Sequence, residues 1–235
     1  MIPLRDTIPG RRRPVMTTAI IAACSIMFLY QVFLGHVSRE RGAVFLILCG
    51  LVPARYSNPH WAQWVGFPSN YWPFLTHMFL HGGWLHLIGN MWFLWLFGDN
   101  VEDRLGRPRF LFFYLSCGLI AGLTQLAITP ALQSPIVGAS GAISGVMGAY
   151  FLLYPGARIV TLIPVFIFVQ LVEVPAFVFL GIWFLMQFFS GSLDLAATGG
   201  RAGGVAFWAH VGGFVAGLLL LRLFTPRKLP WRIRA

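Results

Sequence analysis

The chain has 235 residues, of which 57% are hydrophobic and only 10% charged, with a mean hydropathy of +0.74. A soluble domain of this size carries about a quarter charged residues, so that class is excluded. Seventeen basic against seven acidic residues give a net charge of +10, but the basic residues lie in short stretches between long apolar runs, not on one polar face. That pattern excludes a nucleic-acid binder and fits a protein that crosses a bilayer several times.

A hydrocarbon core about 30 Å thick needs roughly 20 apolar residues in a helix, and six candidate spans follow in chain order. The first covers 16–35, opening after Arg11, Arg12, Arg13 and Pro14, a basic anchor and a proline suited to a helix start. It is too deeply set for a cleaved signal peptide. The long segment 36–83 follows as an outer loop, its Trp61, Trp64 and Trp72 suited to an interfacial layer. Span two covers 84–97, span three 110–128 and the short span four 139–154. Between 161 and 189 the apolar run is interrupted by Pro164, Glu173 and Pro175, which places span five at 175–189 and an outer loop at 190–203. Span six covers 204–221.

The fold class is therefore all-α and polytopic, one domain over 1–235 with short basic termini at about 1–14 and 222–235 and no appended soluble domain. Thirteen of the seventeen basic residues fall on the side of the termini, which puts both termini in the cytoplasm. Cys24, Cys49 and Cys117 are widely spaced and lack a C-x-x-C pattern, so they read as apolar filler rather than a disulfide or metal framework. No internal repeat is present to suggest a repeat-built transporter.

Polar side chains inside apolar spans are costly and point to function. Span two carries His86 and Asn90, preceded by His77 and His81. Span four opens with Gly138, Ala139, Ser140 and Gly141, and span six carries His210. Each has a plain structural reading, helix packing for Ser140 and a hydrogen-bonded or snorkelling role for a histidine near a span end. Their shared depth argues for more. Spans two, four and six run in the same direction, so His86, Ser140 and His210 all lie near the outer leaflet, within about two turns of their helix starts at 1.5 Å per residue. Small residues beneath the serine (Ser144, Gly148) and the histidine (Gly213, Gly217) let spans four and six approach closely.

A serine hydroxyl becomes a nucleophile when a neighbouring base takes its proton, and His210 is the candidate base. A serine in a helix's first turn also offers free backbone N–H groups to a developing oxyanion, to which His86 and Asn90 add side-chain donors. No acid completes a triad: Asp99, Glu102 and Asp103 lie at the far end of span two, Glu173 precedes span five, and Asp194 falls in an outer loop. The arrangement is a dyad.

These residues resemble the rhomboid intramembrane serine proteases. The resemblance rests on Gly138-Ala139-Ser140-Gly141, on His81 with His86 and Asn90, on Val101-Glu102-Asp103-Arg104-Leu105-Gly106, and on Ala209-His210 with Gly213 and Gly217. It implies Ser140 as nucleophile, His210 as base, and His86, Asn90 and the Ser140 N–H around the oxyanion. It further implies Glu102 and Arg104 as structural contacts in the cytoplasmic loop. His81, Gly138, Gly141, Gly213 and Gly217 would give structural support. The implied substrates are single-span membrane proteins cut near the outer leaflet, with no metal or cofactor, and span five with 190–203 would move to admit them. The compact form suggests a prokaryotic inner membrane.

Two departures stand out. Trp72-Pro73 occupies a place where family members often have Trp-Arg, and Ser144 stands where an aromatic commonly packs on the catalytic histidine. Two other readings remain open. His77 and His81, four apart, suit two imidazoles on one helix face of a metal or haem protein, though the glutamate of H-E-x-x-H is missing. A non-catalytic membrane binder or transporter would use the small-residue seam on span four and the polar Ser116, Thr124 and Gln125 on span three, which also suit interhelical hydrogen bonds.

Overall fold

The computed structural model describes residues 2–165, 168–201 and 203–226, so 227–235 of the basic carboxyl-terminal segment lie outside the described residues. The elements run β1 (Ile2–Asp6), α1 (Val15–Val37), α2 (Arg39–Cys49), α3 (Pro53–Ser57), α4 (Pro59–Val65), α5 (Pro73–Thr76), a 3-10 turn (His77–Phe79), α6 (Trp84–Leu105), α7 (Arg107–Ile128), α8 (Ser140–Leu153), β2 (Arg158–Val165), β3 (Phe168–Pro175), α9 (Ala176–Thr198) and α10 (Phe207–Phe224). Four helices, α1, α7, α9 and α10, are long and apolar enough to cross a bilayer, and the chain is a multi-pass membrane protein. Their outward faces are apolar, with Ile26, Leu193 and Leu219 each about 70% exposed, the inverse of a soluble surface and what lipid contact favours.

The bundle centres on α8. Its 14 residues span about 21 Å at 1.5 Å per residue, short of the roughly 30 Å hydrocarbon core. Eleven of its residues are buried, and α6, α7 and α10 surround it. Glycines set the α8–α10 spacing: a Cβ on Gly213 would meet the Gly141 carbonyl oxygen, one on Gly217 the Gly145 carbonyl oxygen, and one on Gly148 the Phe214 carbonyl oxygen. The two backbones touch, as small-residue seams allow.

Several elements differ from the sequence reading. α6 runs on to Leu105, so Glu102 and Arg104 lie in its last turns, buried, rather than in a loop. Glu102 accepts from the Met16 and Thr17 backbone N–H groups at 2.9 and 2.8 Å and from the Thr17 hydroxyl at 2.8 Å. Proline at the α1 N-cap position supplies no side-chain cap, and the carboxylate of another helix replaces it. α9 continues to Thr198, which absorbs most of 190–203 and places Asp194 within the helix. The segment 36–83 is not one irregular loop but carries α2 to α5 and the 3-10 turn.

Among the described residues the helices are joined by one three-stranded antiparallel sheet, ordered β1-β2-β3, which an all-α reading did not foresee. In β2, Ile159, Val160 and Thr161 are β-branched and favour strands, and the hairpin runs from Arg158 paired with Pro175 to Val165 paired with Phe168. β1 adds on the other side of β2, Ile2 opposite Leu162 and Asp6 opposite Ile159. Asp6 accepts from the Asn100 amide at 2.9 Å and from the Tyr150 hydroxyl, tying the sheet to α6 and α8.

Candidate active site

The approach to Ser140 is held by backbone hydrogen bonds. Leu51 and Ile136 exchange N–H···O bonds of 3.0 and 2.8 Å, and the Gly138 N–H donates to the His77 carbonyl at 2.9 Å. Gly138 has φ +131, outside the range open to L side chains, and a Cβ there would sit 2.8 Å from His86 Nε2 and Cε1. This glycine lets the chain turn into α8 and lets the His86 imidazole lie against it. Ser140 is the first residue of α8, so its backbone N–H belongs to the first turn, which has no intrahelical acceptor.

His210, the fourth residue of α10, stands opposite. Its Nε2 is 2.7 Å from Ser140 Oγ and its Nδ1 is 2.7 Å from Gln187 Oε1 on α9. An amide oxygen only accepts, so Nδ1 carries the proton and Nε2 presents its lone pair to the serine hydroxyl. The start of α10 is itself capped across the bundle, because Gln125 Oε1 accepts from the Ala209 N–H at 2.9 Å. Gln125 also donates to the Thr129 hydroxyl at 3.1 Å. Both bonds are structural, and the polar residue on α7 is spent on placing the turn that bears His210.

His86 and Asn90 lie four apart on α6. The Gly82 N–H donates to His86 Nδ1 at 3.3 Å, which leaves the proton on Nε2, the nitrogen beside Gly138. Asn90 is buried, and its Nδ2 has no hydrogen-bond partner among the described residues. Both side chains, with Ser140 and His210, line a cavity of about 520 Å³. A buried amide donor without a partner, on a residue that lines the same cavity as Ser140, is a group short of an acceptor. His81 packs edge-on to His86, ring centroids 5.3 Å apart, and its backbone is pinned to Gln31 on α1 through bonds of 3.0 and 3.1 Å.

Ser144 does not replace the missing aromatic, since its hydroxyl donates to the Ser140 carbonyl at 2.6 Å within α8. The ring beside His210 comes from α9: the Trp183 indole lies 6.0 Å away, tilted by 37°. Gln187 and Trp183 were not singled out from the sequence, although a glutamine midway along an apolar helix is itself a signal. The pair His77 and His81 does not share a helix face, because the 3-10 turn ends at Phe79 and Leu80 is extended. Burial lowers the His77 pKa to about 4, and its Nδ1 donates to the Pro73 carbonyl at 2.7 Å. Among the described residues no three His, Cys, Asp or Glu side chains gather as metal ligands.

The chain is 41% identical over 86 residues to rhomboid protease GluP of Bacillus subtilis, covering 37% of this chain and 16% of that protein. It is 32% identical over 145 residues to Rhomboid protein 1, mitochondrial, of Saccharomyces cerevisiae, covering 60% and 38%. It is also 30% identical over 128 residues to Presenilin-associated rhomboid-like protein A, mitochondrial, of Danio rerio, covering 52% and 33%. The matched regions thus span well under half the length of each of these relatives. Residues 68–227, which contain Ser140, His210, His86 and Asn90, match the Rhomboid domain, and the chain belongs to the rhomboid family.

Proposed function

We propose that the chain is an intramembrane serine endopeptidase that cleaves membrane-anchored proteins through a Ser140–His210 dyad. The observation that carries this is the 2.7 Å contact between Ser140 Oγ and His210 Nε2, both of which line one cavity, in a chain whose relative is named a protease. Ser140 Oγ attacks the substrate carbonyl carbon while its proton passes to His210 Nε2. The carbonyl oxygen becomes an oxyanion facing the Ser140 N–H, His86 Nε2–H and Asn90 Nδ2–H. Collapse of the tetrahedral intermediate breaks the C–N bond, and the proton on Nε2 leaves with the amine. Water then hydrolyses the acyl-serine by the same route, with His210 as base.

Six crossings, α1, α6, α7, α8, α9 and α10, with both termini in the cytoplasm agree with the distribution of basic residues. That topology sets the dyad toward the outer leaflet of a prokaryotic inner membrane, where the short α8 brings it below the headgroups. Single-span proteins are the substrates such a site accepts, entering sideways and exposing a peptide bond to the cavity.

Labelling with a fluorophosphonate probe, with the modified peptide located by mass spectrometry, tests the reading. Label on Ser140 that is lost in His210→Ala is the expected result. Retained cleavage of a single-span reporter by Ser140→Ala overturns it.

A further inference from the structure

A histidine that must take a proton from serine needs its lone pair on the right nitrogen and its ring in the right plane, and neither Ser140 nor α10 supplies that. The imidazole is held from α9, by an acceptor at Nδ1 and by an aromatic ring beside it. Gln187 and Trp183 are four residues apart and so share one face of that helix. The residues around them point elsewhere, with Leu185 and Met186 51% and 57% exposed. A glutamine at this depth is costly unless its amide is used, and Gln187 Oε1 spends its bond on His210 Nδ1.

We propose that Gln187 is a positioning residue that fixes the tautomer of His210 while Trp183 holds the ring, so that the dyad is set only when α9 is docked against α10. This rests on the serine-protease reading above and adds a third member to the site. It differs from a triad carboxylate in charge: an amide oxygen orients Nδ1–H but brings no counter-ion to the imidazolium formed after proton transfer. It also moves the support of the histidine from α8, where Ser144 is turned into its own helix, to α9. A substrate segment that displaced α9 would unseat the base, so proton transfer requires α9 to return once the substrate is in place.

The test compares Gln187→Met, which keeps the shape and loses the acceptor, with Gln187→Glu, whose side chain when ionised can only accept. Full-length protein in lipid vesicles is assayed for the rate of fluorophosphonate labelling of Ser140, for kcat and KM on a single-span reporter, and for thermal midpoint. The ring ¹⁵N shifts of His210 are read in parallel. In Gln187→Met the labelling rate and kcat are expected to fall about 10²-fold or more, as when the wrong tautomer faces a serine. KM and the thermal midpoint stay near wild type, and the ring signal loses its Nδ1–H form. Gln187→Glu restores most of the rate.

Wild-type labelling and an unchanged ring signal in Gln187→Met would overturn the proposal while leaving the protease reading intact. Equal loss in both variants together with a lowered thermal midpoint would make Gln187 structural. A wild-type protein as inert as Ser140→Ala in labelling and cleavage would overturn both readings.

Discussion

The glycine contact between α8 and α10 fixes the separation of the serine and histidine, and a single methyl group there should open it. A Cβ at position 213 would lie 2.0 Å from the Gly141 carbonyl oxygen, and one at position 217 would lie 2.0 Å from that of Gly145. Carbon–oxygen contacts relax at about 3.3 Å, so the shortfall is roughly 1.3 Å at either position. Both obstacles are backbone, so neither can rotate aside and the helices must part. Added to the 2.7 Å between Ser140 Oγ and His210 Nε2, a gap of that size brings the pair to about 4.0 Å, beyond a hydrogen bond. Position 213 is three residues from His210, about 4.5 Å along the axis, whereas position 217 is seven residues and about 10 Å away.

Gly213→Ala is therefore expected to lower the Ser140 labelling rate and kcat by about 10²-fold, the usual cost of misplacing a reacting group. Gly217→Ala, though its clash is no smaller, acts farther from the dyad and should lose less than about tenfold on the same reasoning. Each substitution should cost about 1–3 kcal/mol of stability by overpacking. Labelling rate, reporter cleavage in vesicles and thermal midpoint, measured for both variants, separate the two effects. Wild-type labelling by Gly213→Ala, or equal losses of labelling in the two variants, would refute the argument that local spacing rather than general stability is at stake.

Asn90→Ala should reduce kcat by about 10²–10³-fold with the fold intact, the scale of losing one oxyanion donor; reporter kinetics that stay at wild type would remove Asn90 from the site. Glu102→Ala strips the α1 amides of their charged acceptor and should cost about 3 kcal/mol in unfolding experiments, with labelling of Ser140 preserved in the folded fraction. Asp6, outside the helices, has its carboxyl pushed above the ordinary range by burial, more than its hydrogen bond with Tyr150 pulls it down. The folded state then binds that proton more tightly than the unfolded chain, so this contribution to stability falls as pH rises from the ordinary carboxylate range through the raised value, and is level above it. Asp6→Asn should flatten that slope in thermal midpoints taken from acid to neutral pH; an unaltered slope would show that Asp6 does not carry it.

The polar residues at one depth were legible because an apolar span makes each of them conspicuous, and the structure brings Ser140 to His210 and His86 to Gly138. Gln187 was not singled out, because which face of α9 meets α10 is not written in a helix that is apolar all round. Gln125 was visible as a polar residue on the third span, but its use as a cap for α10 depends on a contact 84 residues away. The hairpin over 158–175 was hidden for a different reason. A short apolar run broken by prolines has the composition of an interrupted helix as much as of two strands, and periodicity cannot separate them. The extent of α6 past Phe97 was missed because charged residues normally end a span, whereas Glu102 is buried against α1.

Strand β1 is made long before the strand it pairs with. Asp6 and Arg158 lie some 150 positions apart in the chain, yet β1 pairs with β2. At about 5–20 residues per second of synthesis, the strand waits roughly 10–30 seconds before β2 exists. Through that interval its backbone edge is unpaired, and an open strand edge is a liability. Closure of the sheet is thus a late step in assembly. It joins residues 2–6 to the hairpin leading into α9, so a bulky group set against Ile2 would burden closure of the sheet more than insertion of α1.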